Sequence, residues 1–287
     1  MKGFINIGNT CYLNSGLQML IQNEKLVNLI LKYSSRSNTL GKIGEFIKEY
    51  YNSSNSTLVP IEIKKIVGKK YGQFMGLEQQ DSTEFVIQLL NIIDDEIKLI
   101  DKESGGIDSI FGFDINVRLK CKFKNCLKIS NNTEKNNILM LDIDSQCTSL
   151  EDAYRAFKSC EKLENDDKYY CENCKEKRVA SKRHTISSWP HDIFIWLKRF
   201  KQDGRKYFKN SQKLAIPLEW RHDNMLQGAV IHYGSLNGGH YVYVGKNANI
   251  WYLFDDSRIS EINTESELID LLSGAYWLYY KNNSKLI

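Results

Sequence analysis

The chain is predicted to be an α+β protein on three observations. Helical periodicity runs through the first hundred residues, strand alternation replaces it after Gly105-Gly106, and short apolar strands follow one another from Ile186 onward. A chain of 287 residues can bury a sizeable core, and three prolines leave little material for rigid linkers. It reads as one domain over 1–287: a helical part over about 1–108, a strand-rich insertion over about 109–185 and an antiparallel sheet over about 186–287. This order places an active site between the helical and the sheet halves.

From Thr10 the apolar residues Leu13, Leu17, Leu20 and Ile21 recur at helical spacing, with Thr10 as N-cap and Cys11 as the first helical residue. A thiol there meets free backbone N–H groups and the positive end of the helix dipole, which predicts a lowered pKa. Residues 52–57 read as a polar loop. A second helix begins near Asp81, carries Phe85, Leu89, Ile93, Ile97 and Ile100 on one face, and has Asp81 and Glu84 spaced as a capping box. Alternation over 111–119 predicts a half-buried strand, 130–137 a polar loop and 150–157 a short helix. Strands are expected at 193–197, 230–233, 241–244, 251–254 and 277–280.

Composition narrows the function classes. A net charge of +4 from 39 basic and 35 acidic residues makes no polybasic footprint, so nucleic acid is not an expected partner. The longest apolar run, at 193–197, falls far short of the ~20 residues a membrane helix needs, and the N-terminus lacks the apolar stretch of a signal peptide. A cytoplasmic or nuclear protein with no membrane partner is expected. Seven cysteines, an odd number, in a reducing compartment make closely spaced pairs better read as metal ligands than as disulfides.

The strands at 241–244 and 251–254 are joined by Gly245-Lys246-Asn247-Ala248-Asn249. Folding that hairpin about Asn247 and Ala248 sets position 240 opposite 255, so His240 and Asp255 are expected within ~5 Å on one face. A carboxylate beside an imidazole fixes its tautomer and leaves the other ring nitrogen to take a proton from a nucleophile, for which Cys11 is the candidate. Asn6 precedes the helix and can offer a side-chain N–H to an oxyanion. Taken singly, each residue has an ordinary structural reading: a small buried hydrophobe, a satisfied strand histidine, a turn aspartate, a loop asparagine.

Together the motifs do more. Gly3-Phe4-Ile5-Asn6-Ile7-Gly8-Asn9-Thr10-Cys11-Tyr12-Leu13-Asn14-Ser15-Gly16-Leu17-Gln18 resembles the cysteine box of the ubiquitin-specific proteases. Gln79-Gln80-Asp81-Ser82-Thr83-Glu84-Phe85, Tyr170-Cys171-Glu172-Asn173-Cys174, Pro190 with Leu197-Lys198-Arg199-Phe200, Gly238-Gly239-His240-Tyr241 and Ala275-Tyr276-Trp277-Leu278-Tyr279-Tyr280 follow in the family's order, covering about residues 3 to 281.

The resemblance implies a papain-like cysteine protease fold with a helical thumb, fingers that hold the body of ubiquitin, and a palm carrying His240. It implies Cys11 as nucleophile, His240 as general base, Asp255 as its orienting acid, Asn6 as oxyanion donor and Asp256 as a second acid assisting the same network. Gly238 and Gly239 suit a narrow cleft for the ubiquitin tail, since backbone approaches closely only where no Cβ intervenes. Gln80, Asp81 and Tyr241 match positions beside that tail, whose arginines a carboxylate suits. Asp81 as a plain helix cap is the competing reading, and the two roles can coexist.

Cys171 and Cys174 have zinc-knuckle spacing, and Cys121 with Cys126 would complete a tetrahedral thiolate site. The family's usual first pair is two apart, whereas four residues separate Cys121 from Cys126, and Phe123 stands where the first ligand is expected. A wider loop can still deliver both sulfurs, so a structural zinc is expected and no catalytic cofactor. Cys147 and Cys160 read as buried structural thiols. The expected activity is hydrolysis after ubiquitin's terminal glycine through a Cys11 thioester, by a monomer whose partners are ubiquitin and ubiquitinated proteins. A protease for a ubiquitin-like modifier and a non-catalytic ubiquitin-binding adaptor are the alternatives.

Overall fold

The computed structural model describes residues 1–126, 128–203, 206–235 and 238–283. Its first part is a helical layer: α1 (Cys11–Ile21), α2 (Glu24–Tyr33), α3 (Asn38–Asn52), α4 (Ile61–Lys70) and α5 (Ser82–Ile100), ending in the short α6 (Asp108–Phe111). The N-terminal strand β1 (Gly3–Phe4) is pinned to this layer by parallel pairing with β2 (Thr57–Leu58). On α5 the expected face holds: Phe85, Leu89, Ile93 and Ile97 are buried, which stabilises the fold by roughly 1.5–3 kcal/mol each. Asp81 caps α5, accepting from the N–H groups of Thr83 and Glu84 at 2.6 and 3.2 Å. Glu84 turns its carboxylate to Gln73 at 2.5 Å.

A four-stranded sheet follows, in the order β4-β3-β9-β6, from β3 (Phe113–Cys121), β4 (Ile129–Asn136), β6 (Glu161–Leu163) and β9 (Ala180–Ile186). The expected loop at 130–137 is instead β4, paired antiparallel with β3 along its length. As an edge strand exposed on both faces it has no apolar alternation, so only its partner's backbone reveals it. The predicted strand also starts two residues late, because Phe111 closes α6. Helix α7 (Leu150–Phe157) spans the expected residues, and the hairpin of β7 (Tyr169–Cys171) and β8 (Glu176–Arg178) carries the second cysteine pair.

The remaining strands form an eight-stranded sheet, β17-β16-β15-β14-β18-β10-β5, with β13 added on β14. Its members are β5 (Ile138–Asp142), β10 (Asp192–Lys198), β13 (Glu219–Trp220), β14 (Asn224–Ser235), β15 (Gly238–Asn247), β16 (Ile250–Asp255), β17 (Arg258–Glu261) and β18 (Ala275–Asn282). A separate hairpin joins β11 (Phe200–Asp203) to β12 (Lys206–Lys209), and α8 (Glu265–Ser273) precedes β18. The large sheet is covered on both faces, which is why 193–197 is apolar without alternation. Phe194 and Tyr243 face the helical layer, while Ile193, Ile195, Val242 and Val244 face a second core shared with α7 and α8.

The β15–β16 hairpin turns at Ala248 and Asn249, both at positive φ (47° and 70°), with Asn247 opposite Ile250 and Tyr243 opposite Phe254. The register is therefore shifted from the expected one, and 255 does not fall opposite 240. The two-residue turn moves the pairing by two, so the strand period of two preserves the face. His240 and Asp255 remain on the same side.

Candidate active site and metal centre

Helix α1 packs its N-terminal end against β15, bringing Cys11 beside Tyr241. The backbone N–H of Tyr241 points at the sulfur, joined by those of Tyr12 and Cys11 itself. Even so, burial outweighs these donors and raises the thiol pKa, with the Asp256 charge adding to the rise, so the expected lowering is reversed. Cys11, a residue only 4 % exposed, loses more hydration than one helix terminus restores.

His240 Nε2 lies 2.6 Å from Asp255 Oδ1, and both side chains are partly exposed. The carboxylate fixes the proton on Nε2 and leaves Nδ1 as the basic nitrogen. Among the described residues no hydrogen bond joins His240 to Cys11.

Asp256 lies beside the His240–Asp255 pair, with its carboxylate, the Asp255 carboxylate and a His240 ring nitrogen all within 4.8 Å of one another. Its Oδ2 accepts from Asn6 Nδ2 at 2.8 Å and its Oδ1 from Asn14 Nδ2 at 2.7 Å, so it holds the asparagines and makes no hydrogen bond to His240. The β16–β17 turn puts Asp256 at φ 51°, and its carbonyl accepts from Phe4 N–H at 2.8 Å, docking the N-terminal strand there. Gly3 allows that approach, since a Cβ would stand 2.4 Å from the Ser257 carbonyl oxygen. At the other end of its amide, Asn6 Oδ1 accepts from Thr10 N–H and Gly8 N–H at 3.0 and 3.2 Å. Among the described residues the second Asn6 N–H has no partner, its direction set by the rest of the network.

Asp81 closes the opposite wall. Beyond its cap, Oδ2 accepts from Tyr276 at 2.6 Å and Tyr241 at 3.4 Å, tying α5 to the large sheet. Gly238 and Gly239 open β15, and Gly239 leaves no room behind it: a Cβ would be 2.2 Å from His232 Nε2 and 2.3 Å from the Tyr233 carbonyl oxygen. Gln80 is half-buried, and the side chain that reaches Gly239 belongs to Gln79.

Two residues not singled out from the sequence thus join the site, Asn14 and Gln79. Asn14 carried a signal, because a polar amide three residues after Cys11, in a helix whose every residue is buried, needs a buried partner. Gln79 carried none, since its partner is 160 residues away.

The sulfurs of Cys121, Cys126, Cys171 and Cys174 all lie within 4.8 Å of one another, with Cys126 and Cys171 3.6 Å apart. A tetrahedral zinc with Zn–S near 2.3 Å separates its sulfurs by about 3.8 Å, so the four residues fit the ion. The wide first loop delivers both ligands, and Phe123 lies outside the cluster beneath the Arg178 guanidinium, 3.9 Å from its ring centre. The N–H of Lys128 and the Asn173 amide lower the Cys126 pKa, favouring the thiolate a metal requires. Bound zinc would cross-link the β3 end to the β7–β8 hairpin. Cys147 is buried as expected, whereas Cys160 is exposed just after α7, on a segment whose apolar face has ended.

The chain is 30% identical over 335 residues to ubiquitin carboxyl-terminal hydrolase 12 of Salmo salar, covering 98% of this chain and 89% of that one. It is 29% identical over 312 residues to probable ubiquitin carboxyl-terminal hydrolase 16 of Schizosaccharomyces pombe, covering 98% and 67%. Its fold superposes on the Ubp8-containing deubiquitinase module of the SAGA complex bound to monoubiquitin with a TM-score of 0.81 at 26% identity, over 98% of this chain and 69% of that one. The same module bound to ubiquitin aldehyde gives 0.80 at 25%, with the same coverage. With the family description "ubiquitin carboxyl-terminal hydrolase" matching residues 2–280, this chain belongs to that family of cysteine-type deubiquitinases.

Proposed function

We propose that the chain hydrolyses the isopeptide or peptide bond after the C-terminal glycine of ubiquitin. The observation that carries this reading is the meeting of the α1 terminus bearing Cys11 with β15, whose His240 lies 2.6 Å from Asp255 at the end of β16, in a family of ubiquitin hydrolases. In the first step the Cys11 sulfur attacks the glycine carbonyl while His240 Nδ1 accepts the thiol proton. The free Asn6 N–H and the α1 backbone N–H groups receive the oxyanion. His240 then protonates the departing amine, leaving a thioester, and next deprotonates the water that cleaves it. Asp255 stabilises the imidazolium throughout.

Because burial raises the Cys11 thiol pKa and no hydrogen bond joins it to His240 among the described residues, the approach of Nδ1 to sulfur belongs to the substrate complex. In this reading the helical layer is the thumb, the large sheet the palm and the four-stranded sheet the fingers, divided near 108 and 185. Gly238, Gly239, Gln80, Asp81 and Tyr241 line the path of the tail.

The test is reaction of the chain with ubiquitin carrying a thiol-reactive C-terminus, read as covalent mass. One ubiquitin should add per chain, and none to Cys11→Ala. No adduct on folded, reduced protein would overturn the reading, and an adduct only with another modifier would redirect it.

A further inference from the structure

We propose that Gln79 is a displaceable latch occupying, in the free protein, the main-chain edge on which an extended substrate tail is to lie. The proposal rests on the function proposed above. Gln79 Nε2 donates to the Gly239 carbonyl at 3.0 Å, and Gly239 N–H donates to Gln79 Oε1 at 3.0 Å. That pair of bonds is the one a neighbouring strand residue would make, so the side-chain amide stands in for a peptide.

The edge it fills is defined by the register. Ladder pairing between β15 and β16 begins at Tyr243 and Phe254, leaving the stretch from Gly238 to Val242 beyond it. Alternate residues of a strand send their main-chain groups to one edge. On this edge Tyr243 is within the β16 ladder, Tyr241 turns its N–H to the Cys11 sulfur, and Gly239 meets Gln79. The row therefore runs from β16 past the thiol to the latch. Gly239 cannot retreat, since His232 and the Tyr233 carbonyl fill the space behind it. The ligand chemistry that matches is an extended chain of small residues offering one N–H and one C=O, exchanged like for like against the amide of Gln79.

Release requires side-chain rotation and no loop opening. The backbone is pinned on both sides: Asn9 Nδ2 holds the Leu77 carbonyl at 2.8 Å, and Asp81 is fixed by its cap and by Tyr276. Gln79 itself is exposed, so water competes for its two bonds and the latch is weak enough to be displaced.

The test compares wild type with Gln79→Ala and with Gln79→Asn, which keeps the amide but falls one methylene short. Both variants should capture ubiquitin bearing a thiol-reactive C-terminus about 3- to 10-fold faster, with the gain in turnover lying in KM. Exchange of the Gly239 amide hydrogen should be slowed in wild type and freed in both variants. Capture that is unchanged or slower in the variants overturns the latch, as does Gly239 exchange indifferent to the substitutions. A wild type that exchanges Gly239 slowly but captures no ubiquitin instead overturns the functional reading, and with it the substrate named for this edge.

Discussion

Two sulfur sites in this molecule are treated in opposite ways by the same fold. At the end of the four-stranded sheet, three cysteines at most 4 % exposed, with Cys174 beside them, form the whole of a small apolar cluster with Tyr169. No larger core exists at that tip among the described residues, so a bound metal there acts as the core. At the junction of α1 and β15, a single cysteine equally buried sits within the main helical core, with no second sulfur beside it among the described residues. Local donors favour the thiolate at Cys126, while burial disfavours it at Cys121, at Cys174 and at Cys11, so the two sites differ in how many sulfurs they gather and not in the sign of the burial effect. The difference is that folding gathers four sulfurs at the first site, whereas under the proposed function the second is left for its substrate to finish.

Four experiments sharpen or break this contrast. The largest effect is expected for Asp255→Asn, which leaves packing intact but allows the wrong imidazole tautomer. Turnover of a ubiquitin C-terminal amide should fall about 10⁴-fold, and a fall below tenfold would mean that Asp255 is not the orienting acid. Asn6→Ala should cost about 10²- to 10³-fold in kcat with KM nearly constant, the pattern of a group engaged only in the transition state. A loss confined to KM would place Asn6 in binding alone.

Metal removal should act on the other region. Chain purified without chelator should carry one zinc, and Cys171→Ser should lose it along with hydrogen-exchange protection in β7 and β8, lowering kcat by no more than about tenfold. Full protection of the hairpin in metal-free protein would remove the metal's structural role. The smallest effect concerns pH. A raised thiol pKa means the reactive thiolate is scarce at neutrality and grows with pH, so alkylation of Cys11 by iodoacetamide should rise nearly tenfold between pH 7 and 8. A rate flat across that range would reveal a thiolate already paired with His240.

Much of this was legible in the residues. Helix α1 begins at Cys11 and α7 spans 150–157 as the periodicity requires, and all five apolar runs of the large sheet are strands. Such elements advertise themselves because one or both faces are buried. β4 does not, since an exposed polar strand is selected only by its neighbour's hydrogen bonds. The His240–Asp255 contact survived a shifted register because facing depends on parity, while the pairing itself depends on turn conformation at Ala248 and Asn249.

The sequence by itself determined most of the element types, the candidate catalytic set and the four candidate metal ligands, because these follow from local periodicity and from which side chains carry the needed chemistry. Only the tertiary structure decided how those side chains are shared out. Asp256, beside His240, took its hydrogen bonds from Asn6 and Asn14, Gln79 reached Gly239, and Cys121 met Cys126 despite its wide spacing. Each of these depends on where distant segments dock and on what burial does to a charge, quantities set by the packed whole and absent from any local stretch of chain.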